Sequence, residues 1–334
     1  MGHWPRVRRR RWLTAALAPA GCVLLVGAGL LDQVPPVQPP RFQADVVTWK
    51  SDQSYVDQIQ ARVAANTMVF QLPYQSFPES AGVLKLVGSD PLRPYLHSSD
   101  LRWSYGGIKG RALADWAESV SSEPTERMLV EIGAAKFGGL HVDRAGYTAA
   151  AHQKLENQLR ELLHTTPILS PDNRFSFWNL QEFDKALTQR YSSAQLDNIG
   201  SHAVAHPVPY WQADFSPPKT VGGKASYASL NADPFLYMDN PRADKTAVDL
   251  SFRLTSARKV PEALIRWPDG YVQTVALGAG EVTLSRRLDL PPGRSAVEFS
   301  VPPLATAVDA TSKLSTFELS DPKVADPVLE TFPL

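Results

Sequence analysis

The residues best suited to chemistry sit close together between positions 97 and 111. The stretch reads His97-Ser-Ser-Asp100-Leu-Arg102-Trp103-Ser-Tyr105-Gly-Gly-Ile-Lys109-Gly-Arg111. Guanidinium and ammonium groups suit a phosphate or a carboxylate, indole and phenol rings suit the face of a sugar, and glycines let backbone approach a ligand. Asp100, Arg102, Trp103, Tyr105, Lys109 and Arg111 are therefore candidate ligand-binding residues. The competing reading is an ordered loop in which Asp100 pairs with Arg102 while Trp103 packs into the core. The stretch follows Phe70-Gln-Leu-Pro-Tyr74-Gln-Ser-Phe-Pro-Glu79, which leaves the end of an expected strand. Open α/β sheets bind ligands at the carboxyl ends of their strands.

A second cluster is His141-Val-Asp143-Arg144-Ala-Gly-Tyr147, again at an expected strand end. Asp143 could serve as a base or bind a sugar hydroxyl, with Glu79 or Asp100 as the partner carboxyl. Arg144 and Tyr147 join the ligand-binding candidates. Against this stands the habit of strand-terminal aspartates of capping turns. His202 and His206 have the i, i+4 spacing of two metal ligands, but Ala203 stands where zinc proteases carry glutamate and Pro207 follows at once, so no metal is expected. No Gly-x-Ser-x-Gly elbow and no phosphate-binding Gly-x-x-x-x-Gly-Lys-Ser/Thr loop occurs, and no cofactor is implied. Trp211, Tyr227 and Trp267 could form a carbohydrate platform or fill a core. No residue set identifies a reaction by itself.

The elements that must hold these residues fall into two groups. Ser51 to Ala65 reads as an amphipathic helix, with Tyr55, Ile59 and Val63 at i, i+4 and i+8. Thr67 to Leu72 is an expected strand, Pro124 to Ala135 a helix, Gly138 to Val142 a strand, and Ala149 to Leu163 a helix. Ile168-Leu169 and Phe175 to Trp178 flank a Ser-Pro-Asp-Asn turn. This alternation predicts an α/β layered domain over 41–191. From 210 to 334 strand-like runs dominate: Phe235 to Met238, Ala247 to Leu254, Ala263 to Trp267, Tyr271 to Leu277, Glu281 to Leu288, Ser295 to Val301 and Lys313 to Leu319. With hairpin turns at Pro268-Asp-Gly270 and Pro291-Pro-Gly293, they predict an all-β, jelly-roll-like sandwich. Residues 192–209 read as the joint between the two domains.

Placement comes from the first forty residues. Arg6 and Arg8 through Arg11 precede an uncharged, largely apolar run from Trp12 to Leu31. About 20 residues cross a bilayer, and clustered arginines hold their side in the cytoplasm. The run reads as an N-in single-pass anchor over 1–33, preceding a Pro-rich spacer over 34–40. A cleaved export signal remains open, with Arg9-Arg10-Arg11-Trp12-Leu13 resembling a twin-arginine signal. So does a lipoprotein modified at Cys22, although Pro19 stands where leucine is usual. Net charge is zero, from 34 basic and 34 acidic residues; without the five leading arginines, 29 basic residues face 34 acidic ones, a net of −5. That argues against a nucleic-acid partner. Cys22 is the only cysteine, so the remainder forms no internal disulfide and relies on its cores, which 43% hydrophobic content can supply.

Val69-Phe-Gln-Leu-Pro-Tyr74, Tyr95-Leu-His-Ser-Ser-Asp-Leu-Arg-Trp-Ser-Tyr-Gly106, Lys109-Gly-Arg111 and Val142-Asp-Arg-Ala-Gly-Tyr147 carry a family resemblance. The chain resembles the extracytoplasmic C-terminal part of large bacterial polytopic membrane proteins labelled sugar translocases or phosphoglycerol-transferase-like, GT-C-type glycosyltransferases. In those proteins a last membrane helix ends near a phrase like Gly29-Leu-Leu-Asp-Gln33, and an α/β domain and a β-rich tail follow. No catalytic residue carries over to this region from the resemblance. Such transferases use a bundle of membrane helices and an acidic residue in an early extracytoplasmic loop, and this chain begins at what resembles the final helix. It implies a split-off tail or an accessory protein that does not transfer sugar alone.

Together these readings give an accessory or glycan-recognition module for envelope polysaccharide assembly. Its expected place is the inner membrane of a bacterium, with the bulk of the chain outside the cytoplasm. Its expected partners are the membrane, a polytopic transferase, and a glycan or lipid-linked sugar. A self-contained carbohydrate-active enzyme and a scaffold for a membrane partner are the alternatives.

Overall fold

The computed structural model describes residues 6–33, 42–78, 82–109, 111–210, 214–216, 219–221, 224–231, 233–256, 261–277, 280–301 and 317–332. The chain divides into two compact units, Met1–Lys50 and Ser51–Leu334. In the first, α1 (Arg6–Gln33) is one helix containing the apolar run. Among the described residues, no helix is long and apolar enough to cross a membrane. The expected Pro-rich spacer over 34–40 lies outside them. Helix α2 (Phe42–Gln60) starts earlier and ends sooner than the sequence pattern suggests, and buries Tyr55, Val56 and Ile59.

In the second unit a five-stranded sheet runs in the order β2 (Arg102–Trp103), β1 (Met68–Leu72), β3 (Phe137–Asp143), β5 (Phe175–Asn179), β4 (Ile168–Leu169). The first three strands are parallel; β5 and β4 are antiparallel additions. Strand β1 is buried almost throughout and reads Met-Val-Phe-Gln-Leu, a near-continuous apolar run suited to a sheet covered on both faces. On one face Val69, Phe175 and Phe177 pack against Tyr55, Val56 and Ile59 of α2. On the other, Phe70, Leu140, Val142 and Trp178 meet α4 (Ala112–Ser122), α5 (Thr125–Ala134) and α6 (Ala149–Leu163). The expected α/β layering is present. The ends of α6 follow from its sequence: the Thr148 side chain accepts from Ala151 N–H, and His164 closes the helix in the left-handed region.

Residues 192–209, read from the sequence as the joint, carry regular structure. They form α8 (Ser193–Val204) and β6 (Val208–Tyr210), and Ser192 and Gln195 close a reciprocal capping box. Helix α7 (Gln181–Arg190) also lies outside the expected set.

The β-rich half is a sandwich of two five-stranded sheets. One runs β13 (Val282–Leu290), β10 (Thr246–Ser256), β15 (Phe317–Ala325), β8 (Lys224–Ala228), β7 (Lys219–Val221). The other runs β12 (Val272–Ala276), β11 (Glu262–Arg266), β14 (Gly293–Ser300), β9 (Phe235–Asn240), β6. From β8 to β15 successive strands change sheet at every step except the β11–β12 hairpin, which is jelly-roll order. Alternate residues of β10 point inward, and Val248, Leu250, Phe252 and Leu254 share one core with Leu236, Ile265, Phe299 and Leu319. The turn at Pro268-Asp-Gly270 closes a hairpin as expected, with Gly270 at φ +83°. Pro291-Pro-Gly293 is a corner rather than a hairpin, because β13 and β14 belong to opposite sheets. The last expected strand, Lys313 to Leu319, has its first four residues outside the described ones; from Phe317 the strand continues past Leu319 to Ala325 as β15. The short helix α9 (Pro327–Thr331) then returns to the α/β half, where Phe332 and Leu329 pack on Val130, Leu196 and Ile199.

Candidate functional site

The expected site residues separate into distinct environments. Asp143 ends β3 as a buried carboxylate. It accepts hydrogen bonds from Arg174 Nη2 at 2.8 Å and from Ala145 N at 2.9 Å. The same Arg174 Nη2 reaches Asp90 Oδ2 at 2.9 Å. One guanidinium thus bridges two carboxylates from separate segments. Burial pushes the Asp143 carboxyl up, while Arg174 pulls it down. Arg144 is equally committed: it grips Glu156 bidentately at 2.7 and 2.8 Å and donates to Asn173 O at 2.9 Å. Tyr147 packs against the helical core, and burial raises its hydroxyl pKa. Under the sheet, His141 Nδ1 is hydrogen-bonded to the Tyr55 hydroxyl at 2.8 Å. Burial, then Arg174 and Arg93, hold that imidazole down at about 3, so it is neutral.

Asp100 lies at the opposite end of the sheet. Its carbonyl accepts from Asn66 N–H, two residues before β1, whereas Asp143 follows Val142, which pairs with Leu72 at the far end of β1. The five residues of β1 lie between those levels, roughly 16 Å at about 3.3 Å per residue. A glycosidase pair needs its carboxyls about 5–9.5 Å apart. Asp100 and Asp143 therefore cannot be such a pair. Glu79 lies outside the described residues. Asp100 and Arg102 do not pair with each other; Arg102 Nη2 donates to Asn66 Oδ1 at 3.4 Å.

Arg102, Trp103 and Tyr105 do come together. They border a hollow of about 310 Å³ beside edge strand β2, together with Tyr95, Leu101, Leu92, Pro91 and Gln71. Three aromatic rings and one guanidinium thus face a space near the lower end of the range for small-molecule sites. The walls are braced from within. Trp103 Nε1 donates to Ser98 Oγ at 3.0 Å, and its ring meets His141 edge-on at 5.6 Å. The Tyr105 hydroxyl donates to Gly88 O at 2.6 Å. Gln71 ties two segments together, donating to Pro91 O at 2.8 Å and accepting from Tyr105 N–H at 3.0 Å. Sequence reasoning missed Tyr95, Leu92 and Gln71 as wall residues. A glutamine inside the apolar strand Met68–Leu72 was the available signal.

The remaining candidates lie elsewhere. Lys109 borders a larger hollow of about 1010 Å³ between the α/β half and the sandwich, with Glu118, Glu123, His206, Tyr227 and Glu330 among its walls. Arg111 is exposed and occupies the N-cap position of α4. The two histidines of the i, i+4 pattern do not converge: His202 Nδ1 bonds Asp326 Oδ2 at 2.6 Å, and His206 Nε2 bonds Ser119 Oγ at 2.9 Å. Helix α8 ends before His206, so the helical spacing does not apply to it. Among the described residues no group of three or more His, Cys, Asp or Glu could hold a metal ion. Tyr227 and Trp267 are buried in the sandwich core; Trp211 lies outside the described residues.

No family model matches the chain, and no curated protein does. Among solved structures it is similar to a CBM4 protein at 12% identity, over 34% of this chain and 76% of that one, with a TM-score of 0.23. A family 29 carbohydrate-binding module matches at 10% identity, over 37% of this chain and 85% of that one, also with a TM-score of 0.23. A family 35 module from an environmental isolate matches at 10% identity, over 36% and 93%, with a TM-score of 0.24. At these scores the likeness decides neither the fold nor a ligand.

Proposed function

We propose that this chain is a membrane-anchored glycan-recognition module serving envelope polysaccharide assembly outside the cytoplasm, beside a polytopic transferase. The observation that carries the recognition part is the hollow walled by Tyr95, Trp103, Tyr105 and Arg102. Aromatic faces cover the apolar faces of a sugar, and a guanidinium hydrogen-bonds its oxygens. The anchor is supported by the apolar side chains of α1 and early α2. Val23, Leu24, Leu25, Leu31, Phe42 and Val47 are each more than 60% exposed, which suits a lipid environment. The family resemblance supplies the partner and the bacterial inner membrane, N-terminus in. A self-contained glycosidase is less well supported, since Asp143 is tied to Arg174 and stands far from Asp100.

The test uses the full chain in detergent, with methyl glucoside, methyl mannoside, methyl galactoside and N-acetylglucosamine as probes. A bound sugar at about 100 times its Kd stabilises the fold by roughly 2.7 kcal/mol, which a melting experiment resolves. The expected result is a shift with at least one sugar that is lost in Trp103→Ala and reduced in Tyr95→Ala. Tyr95 is largely exposed, so its replacement leaves the fold intact. No shift with any sugar, or a shift that both variants retain, overturns the reading.

A further inference from the structure

The hollow beside β2 shares Gln71, Pro91 and Tyr105 with a second, much smaller one of about 20 Å³. It is lined by Tyr74 and Gln75 from the segment after β1, by Tyr105, Gly106 and Gly107 from the segment after β2, and by Ala114 and Ala117 of α4. Both segments leave the carboxyl ends of parallel strands, where α/β sheets build ligand sites. The Gln75 side chain lies here, only 4% exposed, and neither its Nε2 nor its Oε1 meets a partner among the described residues. Buried amides are almost always hydrogen-bonded, because leaving them unpaired in a low-dielectric site is costly. The adjacent backbone is shaped to keep this space: Gly106 sits at φ +113°, and a Cβ on Gly107 would fall 2.9 Å from Ala114 Cβ.

We infer that Gln75 is the specificity-determining residue of the glycan site, reading one hydroxyl group of the bound sugar. The inference rests on the glycan reading of the neighbouring hollow. An amide with both ends unpaired offers one acceptor and two donors, and a hydroxyl both donates and accepts. A carboxylate or phosphate oxygen cannot donate to Oε1, and a methyl group satisfies neither atom. The volume is near that of one oxygen-sized group, so the sugar projects a single hydroxyl into the slot, and a small shift of the Gln75 amide, now closed to solvent, brings the two into hydrogen-bond reach.

The experiment uses the full chain, whichever sugar of the four-member panel binds, and the monodeoxy analogues of that sugar. In the parent protein one deoxy position weakens binding at least tenfold. Gln75→Met keeps the length of the side chain and removes both polar atoms; it should bind the parent sugar at least tenfold more weakly. It should also lose the discrimination at that one position, so that the two changes together cost little more than either. Its melting temperature without sugar should be unchanged or higher, since no unpaired amide remains buried. If Gln75→Met binds every analogue as the parent protein does, while Trp103→Ala abolishes binding, this inference fails and the glycan reading stands. If no panel sugar binds the parent protein, both fall.

Discussion

Glu131 on α5 is the most exacting test of the electrostatics. Its side chain is 1% exposed, and Oε1 has no hydrogen-bond partner among the described residues. Burial, reinforced by Glu123 and opposed by Arg127, pushes its carboxyl from 4.5 to about 8. Between those values the folded chain keeps a proton that the unfolded chain releases. The stability linked to Glu131 is therefore fully present below about pH 4.5 and is lost as pH rises through about 8. At pH 7 the gap from 4.5 corresponds to about 3 kcal/mol, at about 1.4 kcal/mol per pH unit. Glu131→Gln retains the shape of the protonated acid and has no proton to lose. The variant should be about 3 kcal/mol more stable than the parent at pH 7 and about equal to it at about pH 4.5. Urea unfolding of both proteins at the two pH values, followed by tryptophan fluorescence, reads the difference directly. A gain of equal size at both pH values, or a loss at pH 7, would refute the assignment of a buried neutral carboxyl.

Three further outcomes follow from close contacts. A Cβ on Gly200 would collide with the backbone carbonyl of Ala134, so Gly200→Ala forces α8 away from α5 and should cost about 1–3 kcal/mol in a urea titration. Glu156 is buried; its pKa is lowered because hydrogen bonds from Arg144 and Ser176 outweigh the upward push of burial. Its stabilisation is present above the unfolded value and is lost as pH falls through the folded one, so Glu156→Gln should lose about 3 kcal/mol at neutral pH and progressively less in acid, as read by melting at several pH values. Phe332 lies under the Arg127 guanidinium, 4.8 Å from its ring centroid, and packs on α5 and α8. Phe332→Ala should cost about 3 kcal/mol and speed hydrogen exchange in α9, whereas unchanged exchange there would show that the C-terminal helix is held by other contacts.

Much of the fold was legible because local signals and burial agree. Helix α6 matches its expected ends, since Thr148 caps it and its buried Leu159 and Leu163 lie four residues apart. The alternation in β10 survives as alternate burial. Helix α8 was hidden because Pro207 and Pro209 mark a boundary and its buried face is partly built from small residues, Gly200 and Ala203. The Ser192–Gln195 capping box was the signal that could have revealed it. Strand β15 runs past its expected end for a different reason. Asp321-Pro322 reads as a break, yet the strand passes through it with Asp321 at φ +51° and a register shift against β10. A proline inside a strand is tolerated at such an irregularity.

The site was legible in part, and its illegible part shows what kind of recognition remains. Residue types revealed charges but not their partners. Arg174 stands 31 residues from Asp143, and only the tertiary fold brings it between that carboxylate and Asp90. Arg144 is taken by Glu156, and Arg93 by Asp52. Each of these three guanidinium groups is held by at least one carboxylate, which stiffens the fold around the strand ends and leaves none of the three positioned for an anionic ligand. The 310 Å³ hollow is walled by aromatic, apolar and amide side chains apart from Arg102, and what faces the small slot is an uncharged amide. Recognition built on stacking and neutral hydrogen bonds depends weakly on ionic strength, unlike binding of a phosphate by clustered cations. The affinity for a neutral sugar should therefore change less than about twofold between low and high salt. A steep salt dependence would move the weight of binding from the rings to Arg102 and the exposed Lys109 and Arg111.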